Sequence, residues 1–191
     1  MGAVLSQTER ASILLVAGEA SGDARGAELI RALRRKRPNL RFCGMGGDRM
    51  AEAGMRIVRH ARETAFLGFF EVARHFPLIR KVFREMTDLL DSDRPDLAVL
   101  IDYPGFNLRL ARQTQKRGIR TVYYISPQIW AWGRNRIQQI RRTVDHMIVL
   151  FPFEETFYRE AGVPVTFTGH PLKDHFEVRF SKKGIHELLE H

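Results

Sequence analysis

Short apolar runs interleaved with segments of helical spacing constrain this chain more than any other feature. Runs at residues 13–17, 40–44, 97–101, 121–125, 147–151 and 163–167 read as buried strands. Segments 24–36, 69–90, 106–116, 134–142 and 153–160 repeat their apolar residues every three and four positions, as helices do. Strand and helix in turn predict an α/β fold, a doubly wound parallel Rossmann-like sheet with right-handed crossovers. Asp23 is expected to cap the first helix, Gly118 to end the one over 106–116, and Gly162 with Pro164 the one before the last strand. Residues 1–168 form one domain on this reading. Gly169 and Pro171 open a linker over 169–191 that leads into the start of a second domain, where Leu188 and Leu189 begin a helical pattern nothing in the chain completes.

The charge balance asks for an anionic partner. Lysine and arginine number 31 against 22 acids, a formal net charge of +9. Nucleic acid is set aside, because the basic residues are scattered among acids and no nucleic-acid motif is present. Cys43 is the sole cysteine, which excludes an intrachain disulfide and a thiolate-rich metal site and suits a reducing, cytosolic setting. The first ten residues lack a signal-peptide pattern, and no apolar run approaches the roughly 18 residues of a spanning helix, so a soluble or peripheral protein is expected.

Four places depart from plain scaffold. The turn Gly18-Glu19-Ala20-Ser21-Gly22-Asp23 joins an apolar strand to a helix, where backbone amides and a helix N-terminus favour ligands, or where the chain simply makes a tight capped turn. The strand 97–101 ends in Asp102, followed by Tyr103-Pro104-Gly105-Phe106-Asn107. A carboxylate at the tip of a buried strand is partly desolvated and fixed in direction, as a general base needs, though it could equally cap the next helix. Ser126 opens a loop holding both tryptophans, Trp130 and Trp132, with Arg136 close behind; these suit a carbohydrate or nucleobase pocket, or a plug for the core. Within segment 69–90, Phe70, Val72, Phe76 and Ile79 lie near Arg74, Arg80 and Lys81. That combination fits either a stripe facing the protein's own core or a surface resting in anionic headgroups.

In chain order, ILLVAGEASGD, GFFEV, PDLAVLIDYPGFN, YYISPQIWAWGRNRI, LFPFEETFY and TGHPLKD resemble the lipid A disaccharide synthase family from about Ile13 to Asp174. The resemblance implies the N-terminal, acceptor-side half of a GT-B glycosyltransferase, whose two Rossmann-like halves face each other across a cleft. It implies transfer of 2,3-diacylglucosamine from UDP to the 6-hydroxyl of 2,3-diacylglucosamine 1-phosphate (lipid X), with inversion to a β-1,6 disaccharide and no metal or organic cofactor. Asp102 matches the family's proposed base. Gly18, Glu19, Ser21 and Gly22 match its functional first loop, and Asn107, Ser126, Trp130, Trp132 and Arg136 are expected to bind substrate. The same resemblance carries Phe70, Val72, Phe76 and Ile79 to the acyl chains and to an anionic membrane, on the cytoplasmic face of the bacterial inner membrane. A homo-oligomer is compatible with it. Some relatives carry a second acid near Gly105, which this chain lacks, and the UDP-binding half is expected to lie beyond these residues, leaving them incomplete as an enzyme. The alternative is a non-catalytic module that binds anionic membranes.

Overall fold

The structure, a computed structural model, describes residues 11–63, 76–128 and 136–169, with Phe76 described by its backbone alone. Among the described residues seven strands form one sheet: β1 (Ser12–Ala17), β2 (Arg41–Gly46), β3 (Arg56–His60), β4 (Leu97–Ile101), β5 (Arg120–Tyr124), β6 (His146–Val149) and β7 (Val165–Phe167). The described α-helices are α1 (Ala20–Lys36), α2 (Asp48–Glu52), α3 (Phe76–Ser92), α4 (Pro104–Lys116), α5 (Ile137–Thr143) and α6 (Pro152–Glu160), with a 3-10 turn at Ala61–Glu63. Every strand pairing is parallel and the order is β3-β2-β1-β4-β5-β6-β7. Chain progression therefore runs outward in both directions from β1 and β4, and the crevice between those two strands is where a doubly wound sheet receives ligands.

The central strands β1, β2 and β4 are buried on both faces, which is why they read as continuous apolar runs instead of alternating ones. Leu14 and Val16 point into one core with Val82, Met86 and Leu110. Ile13, Leu15 and Ala17 point into the other with Ala27, Ile30 and Met50. Glycines set the spacing on the second side: a Cβ on Gly22 would meet that of Ala17 at 3.2 Å, and one on Gly26 would meet Sδ of Met50 at 2.6 Å. Helix α1 thus lies close enough to begin at Ala20, four residues before the apolar periodicity suggests.

Three described elements were not expected from the sequence: β3, the short α2 and the 3-10 turn Ala61–Glu63. The strand RIVRH carries two arginines and a histidine because it is the sheet edge and only half-buried. Asp23 also does something other than expected. It lies inside α1, buried, and its carboxylate accepts the backbone N–H of Gly47 at 2.7 Å, of Met50 at 3.1 Å and of Arg49 at 3.1 Å. It therefore caps α2 and ties the end of β2 to α1. The linker expected over 169–191 lies, apart from Gly169, outside the described residues.

Candidate active site

The register Ala17↔Ile101 brings the ends of β1 and β4 level, so Gly18 and Asp102 leave the sheet side by side at the switch point. Glu19 and Ser21 are both exposed there, and Glu19 makes no side-chain cap to α1. Gly18 is buried against Tyr103. The first loop and the Asp102 loop are therefore one packed unit.

The backbone at Asp102 is unusual. Its amide still donates to Tyr124 of β5 at 2.9 Å, but its φ of 47° and the φ of 50° at Tyr103 turn the chain left-handed at two successive non-glycine residues. Ile125, at the tip of the adjacent strand, has φ 67°. Such conformations cost about 1–3 kcal/mol each and cluster at functional sites, where surrounding contacts over-determine them. Pro104 then starts α4 with the fixed φ that suits a first helical turn.

Asp102 is half-buried and lines a cleft of about 380 Å³ with Ile125, Ser126, Pro127, Leu150, Phe151 and Glu154. Burial pushes its carboxyl above the ordinary aspartate range, and the charge of Glu19 adds to this; a hydrogen bond from the Tyr103 backbone pulls the other way. A carboxyl held at the open end of the strands, disposed to keep a proton once it takes one, suits general-base chemistry on a hydroxyl.

Ser126 is buried, donating to the Pro127 carbonyl at 3.0 Å, with the Tyr158 hydroxyl 2.9 Å from its Oγ. Burial raises the Tyr158 phenol to about 12 despite that hydrogen bond. Arg136 is exposed at the start of α5, close enough for its charge to act on the Tyr123 hydroxyl behind Asp102. Asn107 stands apart from the cleft lining. It is fully buried, and its Nδ2 donates to the carbonyls of Asp102 (2.8 Å), Ile101 (3.1 Å) and Val16 (3.3 Å), so it braces the two strand ends where contact with a substrate was expected.

Trp130, Trp132, Phe70 and Val72 lie outside the described residues, as does the side chain of Phe76. Ile79 is partly buried against the core that contains Val82 and Met86. Among the described residues no cluster of His, Cys, Asp and Glu could hold a metal ion, and no helix is long and apolar enough to cross a membrane.

Residue-level reading missed Tyr103, Tyr123, Phe151 and Glu154. Glu154 is buried at the start of α6, accepting the N–H of Phe151 at 3.2 Å and of Leu150 at 3.3 Å. The signal was present in Leu150-Phe151-Pro152-Phe153-Glu154, an apolar strand end running into a proline and an acid two residues later, as at a helix start. Phe151 and Phe153 stack at 5.8 Å, both about half exposed.

A family model described as lipid-A-disaccharide synthetase matches residues 13–190. Curated relatives named lipid-A-disaccharide synthase include those of Trichlorobacter lovleyi, 49% identical over 89% of this chain and 44% of the relative, and Coxiella burnetii, 50% identical over 84% and 43%. That of Geobacter sulfurreducens is 50% identical over 85% of this chain and 42% of its own length. The chain thus spans less than half the length of these relatives. Among solved structures, UDP-GlcNAc 2-epimerase from Neisseria meningitidis bound to UDP-GlcNAc superposes with a TM-score of 0.61 at 11% identity, covering 94% of this chain and 51% of that one. MurG from Acinetobacter baumannii gives 0.52 at 11%, covering 84% and 46%. At such identity these two show the fold, one Rossmann-like half of the GT-B architecture. The match across 13–190 and the identity of about half to the curated relatives place the chain itself: it belongs to the lipid-A-disaccharide synthetase family.

Proposed function

We propose that this chain is the acceptor-side half of a lipid A disaccharide synthase that transfers 2,3-diacylglucosamine from UDP to the 6-hydroxyl of 2,3-diacylglucosamine 1-phosphate. Family membership supports the substrate class. The observation that carries the chemistry is Asp102, a carboxyl turned out at the switch point into the cleft, with Glu19 close enough to act on it.

In an inverting transfer the acceptor oxygen attacks the anomeric carbon from the face opposite UDP. The new carbon–oxygen bond forms as the bond to UDP breaks, and the hydroxyl proton passes to the Asp102 carboxylate. Glu19 and Ser21, exposed on the facing loop, hold polar groups of a sugar across the crevice. UDP leaves as an anion, and in a GT-B enzyme the second Rossmann-like half stabilises it by helix dipole and basic side chains. Residues 1–191 by themselves are therefore expected to turn over little. The excess of cations, +9 formally, favours the acceptor phosphate and an anionic inner-membrane surface on the cytoplasmic side.

The test is disaccharide formation from both lipid substrates, with a carboxyl-terminal half from one of the relatives supplied. Turnover that falls about 100- to 10,000-fold with Asp102→Asn is the expected result. Full turnover by that variant, or no product at all with the native sequence, would end this reading.

A further inference from the structure

The Asp102 carbonyl has left the sheet. Its amide keeps its ladder bond to Tyr124, but the left-handed turn at Asp102 and Tyr103 swings the carbonyl out of register with β5. A main-chain oxygen in such a place needs donors. It receives two, both from side chains that are fully buried: the Tyr123 hydroxyl at 2.7 Å and Asn107 Nδ2 at 2.8 Å.

One donor would satisfy the oxygen. Asn107 alone could do so while bracing Val16 and Ile101. Phenylalanine would fill the space of Tyr123 equally well, so packing does not account for the hydroxyl. Two bonds from different elements, β5 and α4, fix a peptide plane in direction as well as satisfying it, because rotation about either bond stretches the other. The plane so fixed is the one that follows the Asp102 Cα, and its orientation sets where the carboxyl points. Burial also holds the Tyr123 phenol well above its ordinary value, so it remains a donor throughout the range in which an enzyme works.

We propose that Tyr123, with Asn107, is a positioning residue for Asp102: the pair lock the Asp102 carbonyl, keep the left-handed turn from relaxing, and thereby hold the carboxyl at the mouth of the cleft. The inference rests on the reading of Asp102 as the base, but its geometric content can be judged separately. Neither side chain touches the reacting atoms. Both act through the backbone of the residue that does.

The experiment is Tyr123→Phe, with two readouts. The first uses this chain alone, labelled with ¹³C at aspartate carboxyls, and follows the Asp102 titration by NMR. If the turn relaxes, the carboxyl moves out toward solvent and its titration falls back toward that of an ordinary aspartate; an unchanged titration overturns the proposal. The second uses the chain supplied with a relative's carboxyl-terminal half. There kcat is expected to fall about 10- to 100-fold, the scale of a displaced catalytic group, while KM stays within about twofold. Unaltered kcat overturns the proposal, and so does a joint collapse of kcat, KM and melting temperature, which would mark Tyr123 as ordinary core. Asp102→Asn is run in parallel: if that variant keeps full turnover, the assignment of the base fails, and the titration of the Tyr123→Phe chain still decides whether the hydroxyl holds the turn.

Discussion

The ring of Tyr103 occupies the space a side chain on Gly18 would need: a Cβ at residue 18 would stand 2.4 Å from Cδ1 of Tyr103. Tyr103 in turn stacks on Phe106 at 5.6 Å, so it has core behind it and little room to retreat. Gly18→Ala is therefore expected to destabilise the fold by about 1–3 kcal/mol, the usual cost of overpacking. Because Tyr103 follows Asp102 directly, turnover in the reconstituted enzyme should fall as well. Urea unfolding with a midpoint equal to that of the native sequence would mean that the two loops are not packed as one.

The pH dependence of Asp102 has a definite sign. Burial, then the Glu19 charge, raise its carboxyl in the folded chain above its unfolded value. The folded state therefore binds the proton more tightly, and the stabilisation this gives is present at low pH and lost as pH rises through the folded value. Asp102→Asn should accordingly be more stable than the native chain near neutrality, with the difference shrinking on acidification. The acid limb of kcat/KM should lie above the ordinary aspartate range and move down in Glu19→Gln. Melting curves at several pH values check the first point; a variant less stable than the native chain at neutral pH would contradict the burial account.

Asp23 offers a test of the fold apart from chemistry. Its carboxylate accepts three backbone N–H groups at the turn between β2 and α2, and a Cβ at Gly47 would lie 2.6 Å from its Oδ2. Removing it strands buried donors, at a cost of about 3 kcal/mol. Asp23→Ala should show this as a lowered urea midpoint with an unchanged slope, and Asp23→Asn should fall in between, since its amide keeps one acceptor oxygen.

The central strands were legible because they are buried on both faces, and the far edge β7 was legible too, through the apolar residues of 163–167, although it is largely exposed. Runs such as Leu97–Ile101 contain nothing but apolar residues because helices cover the sheet on either side. The edge strand β3 was not legible, for the opposite reason: half-exposed, it tolerates Arg56, Arg59 and His60, and its pairing with β2 shifts register between Gly44 and Met45. Asp102 was legible as a carboxylate following an apolar run. Tyr123 was not, since a tyrosine inside a strand reads as core until the carbonyl it reaches is known to have left the ladder. Asn107 drew attention as a polar residue near Asp102, yet its amide turns inward onto three carbonyls, a direction spacing cannot give.

Cys43 gives a probe of global opening. It is buried on β2, and burial, followed by the nearby Asp93 charge, pushes its thiol above the ordinary cysteine value. Both exposure and thiolate fraction are then low, so a disulfide reagent should label it slowly in the native chain and at once in urea. Labelling at the rate of a free thiol under native conditions would show that the β2–β3 side of the sheet opens locally.

Membrane attachment can be tested apart from packing at Ile79, whose side chain is the one of that group the structure describes. Ile79 is partly buried against Val82 and Met86, so Ile79→Ser should lower stability by about 1–3 kcal/mol, as a polar intrusion at a core margin does. If the segment that includes Phe70 and Phe76 rests in anionic headgroups, Phe70→Ser with Phe76→Ser should abolish flotation with phosphatidylglycerol vesicles and leave the melting temperature nearly unchanged. Added salt should weaken binding by the native chain, whose +9 charge supplies the attraction. Flotation that survives the double substitution would leave charge alone as the cause, and a native chain that never floats would remove the membrane from the account of this half altogether.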